Sequence, residues 1–243
     1  MSTDVTAIDR KNAVQSQSNK CITNDIPLFS CLNGDEMKRI ELNSINKFLK
    51  KDTSIYREGC RHSGVYIVLN GIVKIYKIGP QGKHNILRFA KSGDIIAYRS
   101  LLTNELACTT ARAHSDNVFL CYLPKPIFME LLQNNPKFNQ SIMRIMCREL
   151  DDSNNMVMNI AQKNLRERTA QVLLALKKEF GVDYSNTLRI TLTRADMANM
   201  IGTVSESLIR VLAQFRDDGL LAIDGKRIVF LDIPKLDHIA NMR

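Results

Sequence analysis

The stretch from Leu192 to Leu231 constrains the fold more than any other part of the chain. Its spacing predicts two short helices, a tight turn and a small hairpin. The hydroxyl of Thr193 can cap the first helix, and Thr203 with Glu206 three residues later is typical of a capping box that starts the second. Gly202 supplies the backbone freedom that a sharp corner between the helices needs. The pattern predicts a helix-turn-helix.

The second of these helices has two faces of different chemistry. Its apolar face is predicted to hold Val204, Leu208, Val211, Leu212 and Phe215. Its outward face is predicted to hold Ser205, Glu206, Ile209 and Arg210. An arginine can bind guanine O6 and N7 with two hydrogen bonds, and a glutamate can accept from cytosine N4. The outward face is therefore expected to contact base edges in a major groove.

A short hairpin follows the second helix. Two apolar strands between Ala222 and Val229 surround an Asp-Gly turn at Asp224, and Lys226 makes the tip basic. This completes a winged helix-turn-helix with a tip suited to DNA phosphates. Three other interpretations stay open: Glu206 only closes the capping box, Arg210 is only a solvated charge, or the motif binds protein alone.

The charge of the chain supports a polyanionic partner only weakly. The formal net charge is +9 and the isoelectric point is about 9.3, but residues 164–243 carry 12 Lys and Arg against 10 Asp and Glu. Residues 51–163 carry 15 against 9. The expectation of DNA binding therefore depends on the local motif and not on overall basicity.

Composition narrows the class of protein. No run of 18 apolar residues and no apolar signal core near Met1 is present, so we expect a cytoplasmic protein without a membrane partner. Six cysteines at scattered spacings fit a reducing compartment. No nucleophile elbow, phosphate-binding loop or paired-carboxylate pattern occurs, so we expect no enzymatic activity.

The order of patterns along the chain predicts an α+β protein with four parts. Several short strands with Gly and Asn turns between residues 45 and 123 predict an antiparallel, jelly-roll-like β-roll. The predicted parts are a flexible arm at 1–24, an effector-sensing β-roll at 25–134, a dimerisation helix at 135–163 and the winged helix-turn-helix at 164–243.

The longest helical pattern precedes the C-terminal domain and carries an apolar stripe. The stripe consists of Phe138, Ile142, Ile145, Met146, Leu150, Met156, Val157 and Ile160. A second copy of the chain is the expected partner of this face, and packing on the roll alone is the alternative. Asp151–Asn155 interrupts the stripe, so any coiled coil is expected to be short or locally loose.

The order of roll, long helix and winged helix-turn-helix resembles the Crp/Fnr superfamily of bacterial transcription regulators over nearly the whole chain. The residues that carry the resemblance are Gly64–Gly71 with the next strand, Gly93-Asp94-Ile95-Ile96, Asn164-Leu165-Arg166-Glu167-Arg168, Leu192-Thr193-Arg194, and Glu206 with Arg210. The resemblance implies a homodimer on a two-fold symmetric DNA site, with a small-molecule or redox signal received by the roll. RNA polymerase is a further expected partner.

The resemblance also implies individual roles. Glu206 and Arg210 match the base-contacting Glu and Arg of the family, whereas Ser205 and Ile209 depart from its branches, which leaves the flanking bases open. The expected phosphate contacts are Thr193, Arg194, Ser207 and Lys226. The competing function is a ligand or redox sensor that acts through protein contacts and not through DNA.

The signal is not identified by the sequence. Ala97-Tyr98 and Ala107-Cys108 stand where cyclic-AMP-binding relatives have a Glu and an Arg-Ser pair, so a cyclic phosphate would lack its bidentate partner. Cys21 and Cys31 form no Cys-x-x-Cys, so an iron–sulfur cluster is poorly supported even though Cys121 resembles a cluster ligand.

The expected effector neighbourhood is Tyr98, Arg99, Ser100, Cys108, Thr109 and Thr110. The four histidines form no metal-spaced set, so no metal is predicted. Haem, a reactive thiol at Cys60 or Cys108, and another small ligand stay open, and the cofactor is unknown.

Overall fold

A computed structural model describes residues 26–79 and 82–241. The predicted N-terminal arm lies outside the described residues. The described chain forms two compact units: one comprises the chain up to Ile75 together with Phe89–Met143, and the other comprises Tyr76–Arg88 together with the chain from Arg144. No helix of the described part is long and apolar enough to cross a membrane.

The β-roll consists of two four-stranded sheets. A 3-10 turn at Pro27–Phe29 and helix α1 (Gly34–Asn43) precede it. The strands are β1 (Ile45–Lys50), β2 (Ser54–Tyr56), β3 (Gly64–Asn70), β4 (Val73–Ile78), β5 (His84–Ala90), β6 (Ile95–Ile96), β7 (Thr110–Ala113) and β8 (Asn117–Pro124), with helix α2 (Tyr98–Thr103) between β6 and β7. Their orders are β1-β8-β3-β6 and β2-β7-β4-β5. The predicted antiparallel roll is confirmed.

The glycine that ends β3 is required by close packing. Gly71 has φ +88°, and a Cβ there would overlap the carbonyl oxygen of Asn117 at the start of β8. The core between the sheets is formed by alternate strand residues, including Val68, Val73 and Leu120. Glycine at this position therefore lets β3 turn into β4 directly against β8.

The long helix is continuous. Helix α3 (Lys125–Asn134) is followed by α4 (Pro136–Gln162), and Asp151–Asn155 does not interrupt it, because polar residues change the face of a helix without breaking its backbone hydrogen bonds. The predicted dimer face is wrong at two positions. Phe138 and Ile142 are 0% and 1% exposed within this single chain, so they belong to its own core.

The C-terminal domain contains the predicted helix-turn-helix and wing. Its elements are α5 (Leu165–Phe180), α6 (Arg194–Ile201), α7 (Ser205–Asp217), β9 (Leu221–Asp224), β10 (Arg227–Phe230) and α8 (Ile233–Ala240). The segment from Val182 to Ile190 adds backbone bridges that the sequence did not predict, since Thr187 pairs with Val229 of β10. The wing is therefore supported on one side by the chain that leads into the helix-turn-helix.

Candidate DNA-binding surface

The turn between α6 and α7 is built by Gly202. It has φ +76°, its amide donates to the carbonyl of Ala198, and the Thr203 amide donates to the same oxygen at 3.0 Å. This pattern closes the C-terminus of α6 and fixes the direction in which the chain leaves it. The predicted role of glycine at the corner is confirmed.

The predicted capping box of α7 is wrong. The helix begins at Ser205 with Val204 as its N-cap, and no side chain in the described part of the chain caps it. The closure of α6 uses the Thr203 amide, which places Thr203 one residue before the cap. Glu206 therefore has no capping role, and its carboxylate is exposed to solvent.

Helix α7 is anchored on one face and open on the other. Leu208, Val211, Leu212 and Phe215 are buried, as predicted, but Val204 is 51% exposed because it precedes the first turn of the helix. Glu206, Ile209 and Arg210 are exposed, whereas Ser205 and Ser207 are half-buried at the edges of the exposed face. Neither Glu206 nor Arg210 makes a hydrogen bond or ion pair with the described residues. Three of the four predicted base-contacting residues, Glu206, Ile209 and Arg210, thus form one exposed face, and Ser205 lies at its edge.

The hydroxyl of Thr193, which was predicted to contact a phosphate, is hydrogen-bonded within the protein. Its hydroxyl oxygen accepts from the Asp196 amide at 3.0 Å and donates to the Asp196 carboxylate at 2.8 Å. It is the predicted N-cap of α6. Because both bonds are internal, we assign the hydroxyl to helix capping and not to a phosphate contact.

Arg194, a predicted phosphate contact, also makes an internal contact that the sequence did not predict. Its Nη2 donates to the carbonyl of Gly225 at the tip of the wing, at 2.7 Å. Partial burial lowers the pKa of Arg194 from its ordinary value. The side chain therefore ties the first turn of α6 to the wing across 31 positions of sequence. Lys226, the next residue of the tip, is exposed and makes no hydrogen bond with the described residues.

The segment Asn164–Arg168 contacts the C-terminal end of α7. Asn164 and Glu167 exchange hydrogen bonds in a capping box that starts α5. Arg166 donates to the Asp218 carboxylate at 2.6 Å, and its guanidinium lies 4.9 Å from the centre of the Phe215 ring. These contacts hold the C-terminal end of α7, a role that the sequence pattern did not reveal.

The predicted effector neighbourhood lies in the roll, and most of its polar groups have partners there. Ser100 Oγ is 2.7 Å from His62 Nε2, Thr109 Oγ1 is 3.3 Å from the Tyr56 hydroxyl, and Thr110 accepts from the Glu58 amide. The sequence prediction missed His62, Tyr56 and Glu58, because they lie about 40 to 50 residues before their partners.

The remaining members of that neighbourhood are dispersed. Tyr98 is buried, Cys108 is half-buried and Arg99 is exposed. Ala97, which stands before Tyr98, has φ +72°, an uncommon conformation for a residue with a side chain. Ser100, Thr109 and Thr110 are buried residues, and the rings of Tyr56 and His62, the partners of Thr109 and Ser100, lie 5.4 Å apart between centroids. Arg99 is at the surface.

The candidate cluster and metal ligands are likewise dispersed. Cys121 is buried in β8, Cys31 is half-buried, and Cys21 lies outside the described residues. Within the ranges 26–79 and 82–241, no group of three or more His, Cys, Asp or Glu side chains is placed to hold a metal ion.

Comparison with known families gives two matches. Residues 46–135 match the model of the cyclic nucleotide-binding domain, and residues 167–239 match that of the Crp-like helix-turn-helix domain. The first covers the roll and the second covers α6, α7 and the wing.

Several characterised proteins are similar over most of their length. Electron transport regulator A of Shewanella oneidensis is 28% identical over 212 residues, which is 86% of this chain and 84% of that protein. The fumarate and nitrate reduction regulatory protein of Vibrio cholerae is 28% identical over 214 residues, 87% of this chain and 85% of that protein.

Solved structures share the fold. A protein of the Crp/Fnr family from Eubacterium rectale superposes with a TM-score of 0.72 at 23% identity, covering 90% of this chain and 99% of that one. FixK2 from Bradyrhizobium japonicum gives a TM-score of 0.74 at 20% identity, covering 82% and 98%.

Proposed function

The chain belongs to the Crp/Fnr superfamily of bacterial transcription regulators, and we propose that its α7 face binds the major groove of a specific operator. The observation that carries this proposal is the exposed face of Glu206, Ile209 and Arg210 on a helix whose opposite face is fixed in the core. The Arg210 guanidinium has no hydrogen-bond partner among the described residues, so it is available to bind guanine bidentately. Lys226 at the wing tip, and Ser207 at the edge of α7, are assigned to phosphate contacts.

A second copy of the chain is the proposed partner of α4. Met143, Met146, Leu150, Val157 and Ile160 are all exposed apolar residues. Their spacing alternates three and four residues, as at the a and d positions of a heptad, with Ser153 at the one polar position between them. This seam keeps Met146, Leu150, Val157 and Ile160 of the predicted face, adds Met143, and leaves Ile145 and Met156 at its margins.

The dimer implies a two-fold symmetric operator. Two copies of α7 related by a two-fold axis fit half-sites about one turn of DNA apart, which is about 10 to 10.5 base pairs. RNA polymerase is the proposed partner of the DNA-bound dimer, because a transcription regulator alters initiation at the promoter to which it binds.

The roll is the proposed receiver of the signal. The region of Ser100, Thr109 and Thr110 is the proposed effector site, and a ligand there would have to replace the internal hydrogen bonds to His62 and Tyr56. A thiol-based signal has a second location: Cys60 is exposed, and its carbonyl accepts from the amide of Ala107, which precedes Cys108.

Replacement of Arg210 tests the assignment of α7. Operator sequence is first found by in vitro selection with the wild-type protein, and affinity is then measured by fluorescence anisotropy at fixed salt. Arg210→Ala is expected to weaken operator binding by about 1–3 kcal/mol, with the loss concentrated at one G·C pair in each half-site.

The matched control removes a positive charge elsewhere in the same domain. Lys178→Ala, at an exposed position near the end of α5, is expected to leave the preference for that G·C pair unchanged. If Arg210→Ala bound the selected operator as tightly as wild type, the assignment of the exposed α7 face to base contacts would be wrong. If no sequence were enriched by the wild-type protein, a function through protein contacts would replace the one proposed.

A further inference from the structure

The exposed face of α7, formed by Glu206, Ile209 and Arg210, carries one apolar side chain. Ile209 is 50% exposed, although α7 has a complete buried face of its own. It lies between Glu206, three residues before it, and Arg210, the next residue, both of which are exposed. A single exposed aliphatic side chain is common on a protein surface. Ile209 is set apart by its position, because it lies on the face of α7 that is proposed to enter the major groove.

The chemistry of Ile209 limits what it can contact. It has no hydrogen-bond donor or acceptor, so it cannot discriminate the polar edges of guanine, cytosine or adenine. In the major groove the one apolar base feature is the C5-methyl group of thymine. Contact between the two removes apolar surface of both from water.

The position of Ile209 along α7 sets the base pair. With a rise of 1.5 Å per residue, its Cα lies about 4.5 Å beyond that of Glu206 and about 1.5 Å before that of Arg210 along the axis. Successive base pairs are about 3.4 Å apart. Ile209 and Arg210 are adjacent residues, and adjacent Cα atoms are about 3.8 Å apart, little more than one base-pair step, so we place the Ile209 contact within about two base pairs of the base that Arg210 contacts.

We propose that Ile209 is a specificity-determining residue that contacts the C5-methyl group of a thymine within two base pairs of the G·C pair bound by Arg210. This inference rests on the proposed DNA-binding role of α7 and names a base that the polar residues cannot select. Each half-site of the operator then contains one thymine whose methyl group matters for affinity.

Uracil in place of thymine tests the proposal, since the two bases differ only by that methyl group. Each thymine of the selected operator is replaced by deoxyuridine, one symmetric pair of positions at a time, and binding of the full-length protein is measured by anisotropy. At one thymine near the G·C pair, uracil is expected to weaken wild-type binding about three- to fivefold per half-site. Ile209→Ser is expected to bind the thymine and uracil operators equally, whereas Ile209→Val keeps most of the discrimination.

The outcomes separate this inference from the function on which it rests. If Arg210→Ala loses its G·C preference but wild-type affinity is unchanged by uracil at every thymine, the operator role stands and the Ile209 contact is wrong. The contact is equally wrong if Ile209→Ser retains the sensitivity to uracil. If selection enriches no sequence at all, both proposals fail together.

Discussion

At the scale of single residues, His62 shows how a partly buried hydrogen bond fixes the tautomer of a neutral imidazole. Its Nδ1 lies 3.2 Å from the Gly64 carbonyl, and because a carbonyl can only accept, Nδ1 carries the proton. Nε2 of the neutral ring is then left to accept from the Ser100 hydroxyl at 2.7 Å. Burial, the largest cause, lowers the pKa of His62, and the Gly64 bond opposes it.

This predicts a pH-dependent stability of the roll. The pKa of His62 is about 6.5 in the unfolded chain and lower in the folded chain. The unfolded state therefore binds more protons between these two values. The free energy of unfolding is expected to fall as the pH drops below about 6.5 and to level off below the folded pKa. Urea unfolding at pH 8, 6.5 and 5.5 measures the slope.

Two substitutions identify the residue responsible. His62→Gln is expected to remove this part of the slope, and His238→Gln, at an exposed position on α8, is expected to retain it. An unchanged slope in His62→Gln would show that other groups cause the pH dependence.

At the scale of elements, α4 carries two apolar surfaces that differ in exposure. Its first turns bury Phe138 and Ile142 within the chain, and its later turns expose the heptad seam that starts at Met143. The apolar stripe predicted from the sequence included residues of both surfaces, because both sets follow helical periodicity. Only the exposed part is available to a second copy.

Substitution along α4 separates these surfaces. Leu150 is 62% exposed, so Leu150→Glu is expected to keep the monomer folded, place two like charges across the seam, and shift the protein toward monomer in sedimentation velocity. Arg148→Glu, on the opposite side of the helix, adds the same carboxylate and is expected to stay dimeric. A Leu150→Glu protein that remained fully dimeric would exclude the seam.

The buried position is expected to behave differently. Ile142→Glu places a carboxylate in the core and is expected to destabilise the roll by several kcal/mol, seen as a lower unfolding midpoint. Loss of dimer in that variant would therefore report unfolding and not the interface.

At the scale of the whole molecule, the proposed dimer makes operator geometry a property of the protein. Two copies joined through α4 present two copies of α7, each suited to one half-site. Neither α7 can move to its half-site independently of the other, because both are connected to the same pair of α4 helices.

The spacing of the half-sites is therefore expected to be fixed. Inserting five base pairs between them rotates one half-site by about half a helical turn. Affinity is then expected to fall to that of an operator with a single intact half-site, measured by anisotropy on the two DNAs. Equal affinity for the original and the lengthened operator would mean that the copies bind independently.

The sequence by itself determined the parts of this protein that depend on local rules. Thr193 caps α6, Gly202 closes its C-terminus, and the buried residues of α7 follow helical periodicity from Leu208 to Phe215. Alternation and Gly turns similarly identified the antiparallel roll. Such signals involve residues a few positions apart, so the sequence displays them directly.

Only the tertiary structure decided roles that depend on residues far apart in the chain. Arg194 bonds to Gly225, 31 residues away, and Ser100 bonds to His62, 38 residues away, and neither spacing follows a local period. Periodicity also shows that Ile142 and Leu150 are apolar on a helix, but not what covers each of them. What covers each is decided by which other parts of the chain fold against the helix, and this is a property of the packed molecule.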